Sequence, residues 1–265
     1  MFNDFCWLRA RYQFKSESSI PKYKAKWSGF ESVLKIRPIS ARMSTLMTLP
    51  LFITRGNKYF AGAIMYALAY VLYFVTNHYP VIEPTLLPFT WIDHNTPFLP
   101  WTVLIYISEY FYFAFVYVLL KEHDNINHYL YSYFVAQIIA CFIFAVYPVA
   151  YPRELFPVPT DIPLWLQSTW HWLRNADAPT NCLPSLHVAS CYLSAFAFIT
   201  DKQKKLFWTF LIWSSAIAFT TLTTKQHYVI DVVTGIALAS TTYYWFHHKQ
   251  KYKRVVAIPE AIPTN

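Results

Sequence analysis

The chain has 265 residues, of which 55% are hydrophobic and 14% charged, with a mean hydropathy of +0.26 and a formal net charge of +8. An ordinary soluble domain carries about 25% charged residues, so this composition indicates that lipid surrounds much of the chain. The four glycines are too widely spaced for a phosphate-binding loop, which excludes Walker and Rossmann nucleotide sites. The four cysteines contain no Cys-x-x-Cys pair, so neither a zinc ribbon nor a disulfide scaffold is expected.

Residues 1–56 form a basic, aromatic segment that lacks the apolar stretch of a signal peptide. We expect this segment to lie along the cytoplasmic lipid headgroups, because anionic lipids attract such a segment by about 1 kcal/mol per cation. A partly disordered, solvated tail is the alternative. The apolar run at its end, residues 45–54, contains Pro50 and is too short to span, so it predicts a helix lying on the membrane surface.

Six runs with few or no charges follow, each near the roughly 20 residues that a helix needs to cross the hydrocarbon layer. They cover residues 59–77, 101–120, 132–149, 186–200, 206–224 and 227–246. The sequence therefore predicts an all-α fold: a six-transmembrane helical bundle over residues 57–246, with a basic cytoplasmic segment before it and a cytoplasmic tail over 247–265.

The Lys and Arg residues are distributed unevenly between the segments that join these runs. Nineteen of the 22 cations fall in the segments on the side of the termini, and three fall in the segments on the other side. By the positive-inside rule both termini are cytoplasmic, and a multi-pass protein of a bacterial inner membrane is expected. A nucleic-acid partner is not expected, because six apolar runs leave no soluble basic face to bind it. The oligomeric state is left open.

Ionisable residues beside membrane spans are functional candidates by default. The sequence Pro184-Ser185-Leu186-His187 opens the fourth run, so Ser185, His187 and the unpaired N–H groups of the first helical turn predict an anion site. A simple helix cap beside an interfacial histidine is the alternative.

His227 and Asp231 stand four positions apart at the start of the sixth run, which places them on one helix face. A carboxylate there can hold one imidazole nitrogen and leave the other available as a nucleophile or base. A purely structural His–Asp pair is the alternative. Lys225 stands two positions before His227 and adds a cation at the same place.

Arg153 follows the third run, on the same side as both histidines. A guanidinium binds phosphate oxygens in pairs, although an arginine at a membrane boundary commonly serves as an anchor. Glu109 lies inside the second run and is expected to be paired within the bundle rather than catalytic. Three polar residues of the first outer loop are weaker candidates for headgroup contacts: Asp93, His94 and Asn95.

A boundary arginine, a Pro-Ser-x-His motif and a His-x-x-x-Asp motif, in this order on six spans, resemble the type 2 phosphatidic acid phosphatase superfamily, whose relatives include vanadium haloperoxidases. Within it, the chain is most similar to the branch of inositol phosphorylceramide synthase-like proteins. The resemblance covers about residues 57–246. It implies that His227 is the nucleophile, that Asp231 orients it, and that His187 protonates the departing alkoxide.

The resemblance also implies a reaction without metal or cofactor, in which three further residues bind the phosphate: Arg153, Ser185 and Lys225. Two cationic positions of the family pattern differ here. Val146 stands where the first motif has a lysine, and Thr220-Thr221 stands where the third motif has Ser-Arg. Lys225 is the candidate replacement cation.

The predicted function is that of a lipid phosphatase, which hydrolyses a lipid phosphate on the extracytoplasmic face through a phosphohistidine. Because the two histidines must hold opposite protonation states, a bell-shaped pH profile is expected. An alcohol acceptor in place of water makes the same site a lipid phosphotransferase. The alternative from another class is a transporter or scaffold whose histidines relay protons. The identity of the lipid is left open.

Overall fold

The computed structural model describes residues 48–250 and 252–254. Most of the predicted cytoplasmic segment and the end of the predicted tail lie outside the described residues. The predictions for those two parts of the chain therefore stay predictions.

The described chain is mainly helical. Its α-helices are α1 (Lys58–His78), α2 (Trp91–Asn95), α3 (Val103–Ile107), α4 (Glu109–Leu119), α5 (His123–Val146), α6 (Leu164–Ala176), α7 (Leu186–Thr200), α8 (Lys204–Thr223) and α9 (Val229–Tyr244). A 3₁₀ turn at Pro100–Thr102 leads into α3, a second lies at Arg153–Leu155, and a π-helical turn at Trp245–Lys249 extends α9. The predicted helical architecture is thus confirmed.

Four helical segments of the described chain are long and apolar enough to cross a membrane: Lys58–His78, Pro100–Leu119, His123–Val146 and Lys204–Thr223. This finding supports a membrane protein. Helices α7 and α9 coincide with the two other predicted runs but have 15 and 16 residues. Because a perpendicular span needs about 20 residues, the number of six spans stays a prediction.

Two pairs of short parallel strands tie the helices together. β1 (Leu49–Leu51) pairs with β4 (Tyr252–Arg254), and β2 (Thr85–Leu86) pairs with β3 (Val149–Ala150). The predicted surface helix at the position of β1 is wrong. Extended backbone is favoured there because Pro50 fits an edge strand and because the Asn127 side chain accepts the N–H groups of Phe52 and Ile53, at 2.8 and 3.2 Å.

Helix α6 lies in the segment that the sequence predicts as the loop between the third and fourth runs. It buries Leu166, Trp170 and Leu173 against Val103 and Tyr106 of α3. These three apolar residues follow the i, i+4, i+7 spacing of an amphipathic helix, which is the signal that identifies it. By packing on α3, the helix carries its own C-terminal end toward the first turn of α7.

Helix α7 packs against α4, α5, α8 and α9. Gly235 lets α9 approach the first turn of α7 closely: a Cβ added there would lie 2.6 Å from the carbonyl oxygen of Ser185 and 3.2 Å from Cβ of Val188. The Ser185 N–H also donates to the carbonyl oxygen of Asp231, at 3.0 Å. The starts of α7 and α9 are therefore in direct contact and form one joint.

Candidate active site

Two buried histidines meet at the joint between α7 and α9. His187 is the second residue of α7, and His227 lies two residues before α9. Their ring centroids are 5.6 Å apart. The structure thus brings together, from separate helices, the two imidazoles that the sequence motifs single out.

The contacts of His227 define which nitrogen carries its proton. Nδ1 lies 3.2 Å from Oδ2 of Asp231 and 3.2 Å from the carbonyl oxygen of Cys182. A carbonyl and a carboxylate are both acceptors, so Nδ1 bears the hydrogen and donates. The Asp231 carboxylate is itself held by the Tyr228 N–H, which donates to Oδ2 at 2.8 Å. In the neutral ring the lone pair is consequently on Nε2, as a nucleophile requires.

The contacts of His187 use the opposite nitrogen. Nε2 lies 3.1 Å from Oε1 of Glu109 and 3.1 Å from the hydroxyl of Tyr106. Among the described residues, Nδ1 of His187 and Oε2 of Glu109 are buried without a hydrogen-bond partner. The edge of the His187 ring meets the Tyr73 ring at 6.0 Å between centroids. Glu109 is therefore paired within the bundle, as expected, but its partner is the predicted catalytic acid.

Ser185 is the N-cap of α7. Its Oγ accepts from the Val188 N–H at 3.4 Å, which is the arrangement of the helix-cap alternative. The positive end of the helix dipole and its unpaired first-turn N–H groups lie beside His187. Phosphate binding by Ser185 stays a prediction.

Arg153 is buried and forms a two-point contact with Asp177. Nη2 donates to Oδ2 at 2.9 Å, and Nη1 donates to the Asp177 carbonyl oxygen at 2.5 Å. The Tyr73 hydroxyl donates to the other carboxylate oxygen, at 2.5 Å. Burial alone would raise the pKa of Asp177, but the charge of Arg153, with His187 and Tyr73, holds that pKa below its usual range. The pair is therefore ionised.

The sequence motifs do not include Asp177, although it lies close enough to act electrostatically on His187. Asp177 directly follows the last residue of α6. Its place in the site can therefore be predicted only if α6 is first recognised as a helix. Among the described residues, Nε of Arg153 has no hydrogen-bond partner. The guanidinium thus retains N–H donors, including Nε, beyond the two that contact Asp177.

The ammonium group of Lys225 contacts the first outer loop. Its Nζ donates to the carbonyl oxygens of Asp93 and Thr96, at 2.9 and 2.5 Å, and lies 4.8 Å from the centre of the Phe156 ring. Burial lowers the pKa of Lys225, and the charge of Asp93 opposes that shift. These contacts place the cation at the C-terminal end of α2, where a helix attracts positive charge. Phosphate binding by Lys225 stays a prediction.

The first outer loop is hydrogen-bonded to the start of α9. The Val229 N–H donates to Oδ1 of Asp93 at 2.9 Å, and Oδ2 accepts from the backbone and hydroxyl of Thr90. The Asp93 carboxylate therefore connects α2 to the start of α9. Headgroup contact by His94 and Asn95 stays a prediction.

Cys182, His227 and Asp231 have ligand atoms that lie within 4.8 Å of one another, a spacing that fits a metal ion. Two of these atoms, Nδ1 and Oδ2, are already hydrogen-bonded to each other. Burial raises the pKa of the Cys182 thiol, and the charge of Asp231 raises it further. Because metals bind the thiolate, this donor set does not favour a metal over the His–Asp pair.

A cavity of about 270 Å³ opens beside His187, Glu109 and Asp177. It adjoins an apolar groove of about 400 Å³ between α1, α4 and α5, and the two share four aromatic lining residues, Tyr66, Tyr110, Phe113 and Tyr133. One end of this space is polar and is lined by His187, Glu109 and Asp177. The other end runs along helices that have the length and composition of membrane spans.

The part of the chain that contains both motif histidines matches a known family. A family model described as the PAP2 superfamily matches residues 81–245. The chain belongs to the PAP2 superfamily. Membership supports a membrane enzyme of the phosphatase or phosphotransferase type, while the branch within the superfamily stays a prediction. No curated protein matches the chain.

The match includes α2 to α9 and all six predicted site residues of this PAP2 protein, whereas α1 precedes it. Helix α1 nevertheless supplies Tyr73 to the site and one wall of the groove. This wall of the groove therefore lies outside the region that the family model matches.

We expect Gly235→Ala to reduce phosphate release by about 10²-fold, because moving reacting groups by roughly 1 Å has an effect of that size. The added methyl would meet the carbonyl oxygen of Ser185, so α9 must move and carry His227 away from His187. The measurement is phosphate release per mole of folded protein. Gly56→Ala is the matched control, because nothing lies within 4 Å of an added Cβ there. Equal activity of the two variants would contradict the close joint.

We expect Asp177→Asn to destabilise the protein by about 3–5 kcal/mol, the usual cost of leaving one charge of a buried ion pair without its partner. Because the pKa of Asp177 is lowered in the folded protein, its contribution is complete above the unfolded value of about 3.9 and is lost as the pH falls through the folded value. Thermal unfolding in detergent therefore separates wild type and variant at pH 7 and less so below about pH 4. The exposed Asp161→Asn is the control.

Proposed function

We propose that this PAP2 protein is an integral membrane lipid phosphatase that hydrolyses a lipid phosphate on the extracytoplasmic face through a phosphohistidine. The observation that carries the proposal is the pair of imidazoles 5.6 Å apart, of which His227 is held by Asp231 with its Nε2 lone pair available. This geometry suits in-line transfer, in which the nucleophile and the proton donor act on one substrate.

In the proposed reaction Nε2 of His227 attacks phosphorus, and the bond from phosphorus to the alcohol oxygen breaks. The His187 imidazolium gives its proton to that oxygen, so the alcohol leaves neutral. His187 then takes a proton from water, the resulting hydroxide oxygen attacks phosphorus, and the bond to His227 breaks to release phosphate. Arg153 and the first-turn N–H groups of α7 are proposed to stabilise the charge on the transferred group.

We propose that the reaction needs no metal, because His227 and Asp231 already satisfy each other and Cys182 retains its proton. Phosphate release is therefore expected to continue undiminished after treatment with excess chelator. Restoration of activity by one added divalent cation after such treatment would contradict this part of the proposal.

The extracytoplasmic location is supported by the end of the bundle at which the site lies. The site residues, α2 and α6 all lie in or beside the segments that contain three of the 22 Lys and Arg residues. Positively charged segments remain in the cytoplasm. Labelling of an introduced cysteine at the exposed Glu154 with a membrane-impermeant reagent, in intact cells, tests this orientation.

A lipid substrate is supported by the cavity and groove. The polar end would hold a phosphate, and the apolar end, walled by Ala63, Ala114 and several aromatic rings, would hold a hydrocarbon chain. A water-soluble phosphate ester has no long apolar chain that could fill such a groove. The substrate class follows from this combination of a charged end and a long apolar end.

Ala114→Trp tests the groove, because it fills the space that a long chain would occupy. We expect kcat/KM to fall at least 10-fold for a long-chain lipid phosphate, which loses several buried methylenes at about 0.8 kcal/mol each, and to change little for a short-chain phosphate. Ala67→Trp is the control, since Ala67 is exposed on α1 and does not line the groove. Equal losses for both chain lengths would contradict the groove as the chain site.

The same two-step chemistry transfers phosphate to an alcohol when an alcohol enters in place of water. Incubation with a labelled phospholipid, with and without ceramide, diacylglycerol or an inositol lipid, distinguishes the two outcomes. Free phosphate as the labelled product supports the phosphatase, and a labelled lipid product supports the phosphotransferase. Full retention of lipid-phosphate turnover in His227→Ala would contradict both outcomes, because each needs His227 as the nucleophile.

A further inference from the structure

Glu109 contacts the ring of His187, as Asp231 contacts the ring of His227. We propose that Glu109 is a positioning residue, which keeps a proton on Nε2 of His187 and so makes Nδ1 the nitrogen that exchanges protons with substrate and water. This inference rests on the proposed function. It assigns to an acid outside the sequence motifs a role in both halves of the reaction.

The geometry of the two carboxylate–imidazole pairs is reversed. His227 contacts its carboxylate through Nδ1, at 3.2 Å, whereas His187 contacts its carboxylate through Nε2, at 3.1 Å. The nitrogen left over is therefore Nε2 in His227 and Nδ1 in His187. Since Nδ1 is the nitrogen of His187 without a hydrogen-bond partner among the described residues, it is the one available to a substrate oxygen.

The helix formed by the second apolar run is interrupted directly before Glu109. Helix α3 ends at Ile107 and α4 begins at Glu109, with Ser108 between them. The Ser108 hydroxyl donates to the carbonyl oxygen of Ile105 at 2.6 Å and accepts from Nε1 of Trp213 at 2.8 Å. Glu109 is the first residue after this interruption. Its side chain contacts His187, and the residue is 3% exposed.

A buried carboxylate is costly unless a charged or hydrogen-bonding partner compensates it. The partner here is a ring that must become positive to act as an acid. The Glu109 carboxyl group, 3.1 Å from Nε2, fixes the ring orientation, and as a carboxylate it would stabilise the imidazolium. Glu109 thereby favours the protonated state in the first half-reaction and accommodates the proton that His187 takes from water in the second.

Several other groups act on the same ring. Tyr106 contacts Nε2 from α3, Tyr73 meets the ring from α1, and His227 lies beside it before α9. Asp177 at the end of α6 and Arg153 before it act electrostatically from a greater distance. Of all these groups, Glu109 is the one carboxyl group in direct contact with the ring, so its removal has a distinct signature.

The test compares Glu109→Gln with Tyr106→Phe, which removes the other contact of Nε2 without changing charge. In Glu109→Gln the imidazolium loses its proton more readily, so the basic limb of the pH profile of kcat/KM moves to lower pH by roughly one to three units. In Tyr106→Phe that limb stays in place. A limb that does not move in folded Glu109→Gln protein overturns the proposal.

Leaving-group dependence supplies a second readout. A nitrophenyl phosphate releases a stable anion and needs little protonation, so Glu109→Gln should slow a lipid phosphate at least 10-fold more than the aryl phosphate in the first step. A purely structural role would slow both substrates equally. Glu109→Asp retains the charge and is expected to recover part of the shift in the pH profile.

A third readout is independent of turnover. ¹⁵N NMR of the neutral imidazoles in the full-length protein should show the proton on Nδ1 in His227 and on Nε2 in His187. A proton on Nδ1 of neutral His187 overturns the proposed role of Glu109 even if the protein is a phosphatase. Opposite tautomers in a protein that releases no phosphate would support the Glu109 pair while contradicting the proposed function.

Discussion

We expect His227→Ala to abolish phosphate release, with a loss on the order of 10⁴–10⁶-fold, as for removal of a covalent nucleophile in other enzymes. The same variant should form no phosphoenzyme from any phosphate ester, because the atom that bonds to phosphorus is missing. The measurement is acid-labile, base-stable incorporation of ³²P after rapid quenching. Glu154→Gln, an exposed neighbour of Arg153, is the matched control and should retain both signals.

His187→Ala should behave differently, because His187 handles protons rather than phosphorus. With a lipid phosphate, both half-reactions lose their acid or base. With a nitrophenyl phosphate, the first step needs no proton donor, so a burst of nitrophenol and an accumulated phosphoenzyme are expected. Identical behaviour of the two histidine variants toward the aryl phosphate would contradict the assignment of nucleophile and acid.

The division of roles between two histidines also accounts for the expected pH profile. The reaction begins with a neutral ring at His227 and a protonated ring at His187. Activity should therefore decline at low pH as His227 gains a proton and at high pH as His187 loses one. Flat activity between pH 5 and 9 would contradict the pair.

Much of the fold can be predicted from the sequence, because lipid imposes simple rules on composition. Apolar runs locate α1, α5, α7, α8 and α9 to within a few residues at most ends. The start of α5 is the main exception, at His123 rather than residue 132. Its first turns contain polar residues that hydropathy excludes, but Asn125 and Asn127 are satisfied there by hydrogen bonds, including Asn125 Nδ2 to the Ala197 carbonyl at 2.8 Å.

The candidate site is predictable only where its residues form local motifs. His227 and Asp231 are linked by helical spacing, and Ser185 and His187 share one turn. Glu109 and Asp177 reach the site through tertiary packing, Glu109 from the middle of the second apolar run and Asp177 from the end of an unpredicted helix. Lys225 illustrates the converse: it stands two positions before His227 in the sequence, but its ammonium group contacts carbonyl oxygens of the first outer loop.

The position of Glu109 also bears on how deep the site lies. It is the tenth residue of the 20-residue run Pro100–Leu119, yet it contacts the second residue of α7. Helix α7 must therefore begin about halfway along its neighbour. This offset explains why α7 has only 15 residues, and it places the proposed phosphate site beside the apolar groove rather than above the bundle.

We expect Asp231→Asn to lower kcat by on the order of 10⁴-fold while leaving the fold intact, as replacement of the orienting aspartate does in a serine protease triad. The Tyr228 N–H can still donate to the amide oxygen of the new residue. The amide nitrogen, however, is a donor and would favour a ring whose proton has moved from Nδ1 to Nε2. That tautomer removes the lone pair that attacks phosphorus.

The tautomer change gives this prediction a structural readout besides activity. ¹⁵N NMR of neutral His227 should show the proton on Nδ1 in the wild-type protein and an increased share on Nε2 in Asp231→Asn, with a matching loss of phosphoenzyme. The Cys182 carbonyl oxygen, 3.2 Å from Nδ1, opposes the change and limits its extent. A variant that retains wild-type turnover with the proton on Nε2 would contradict nucleophilic attack by that nitrogen.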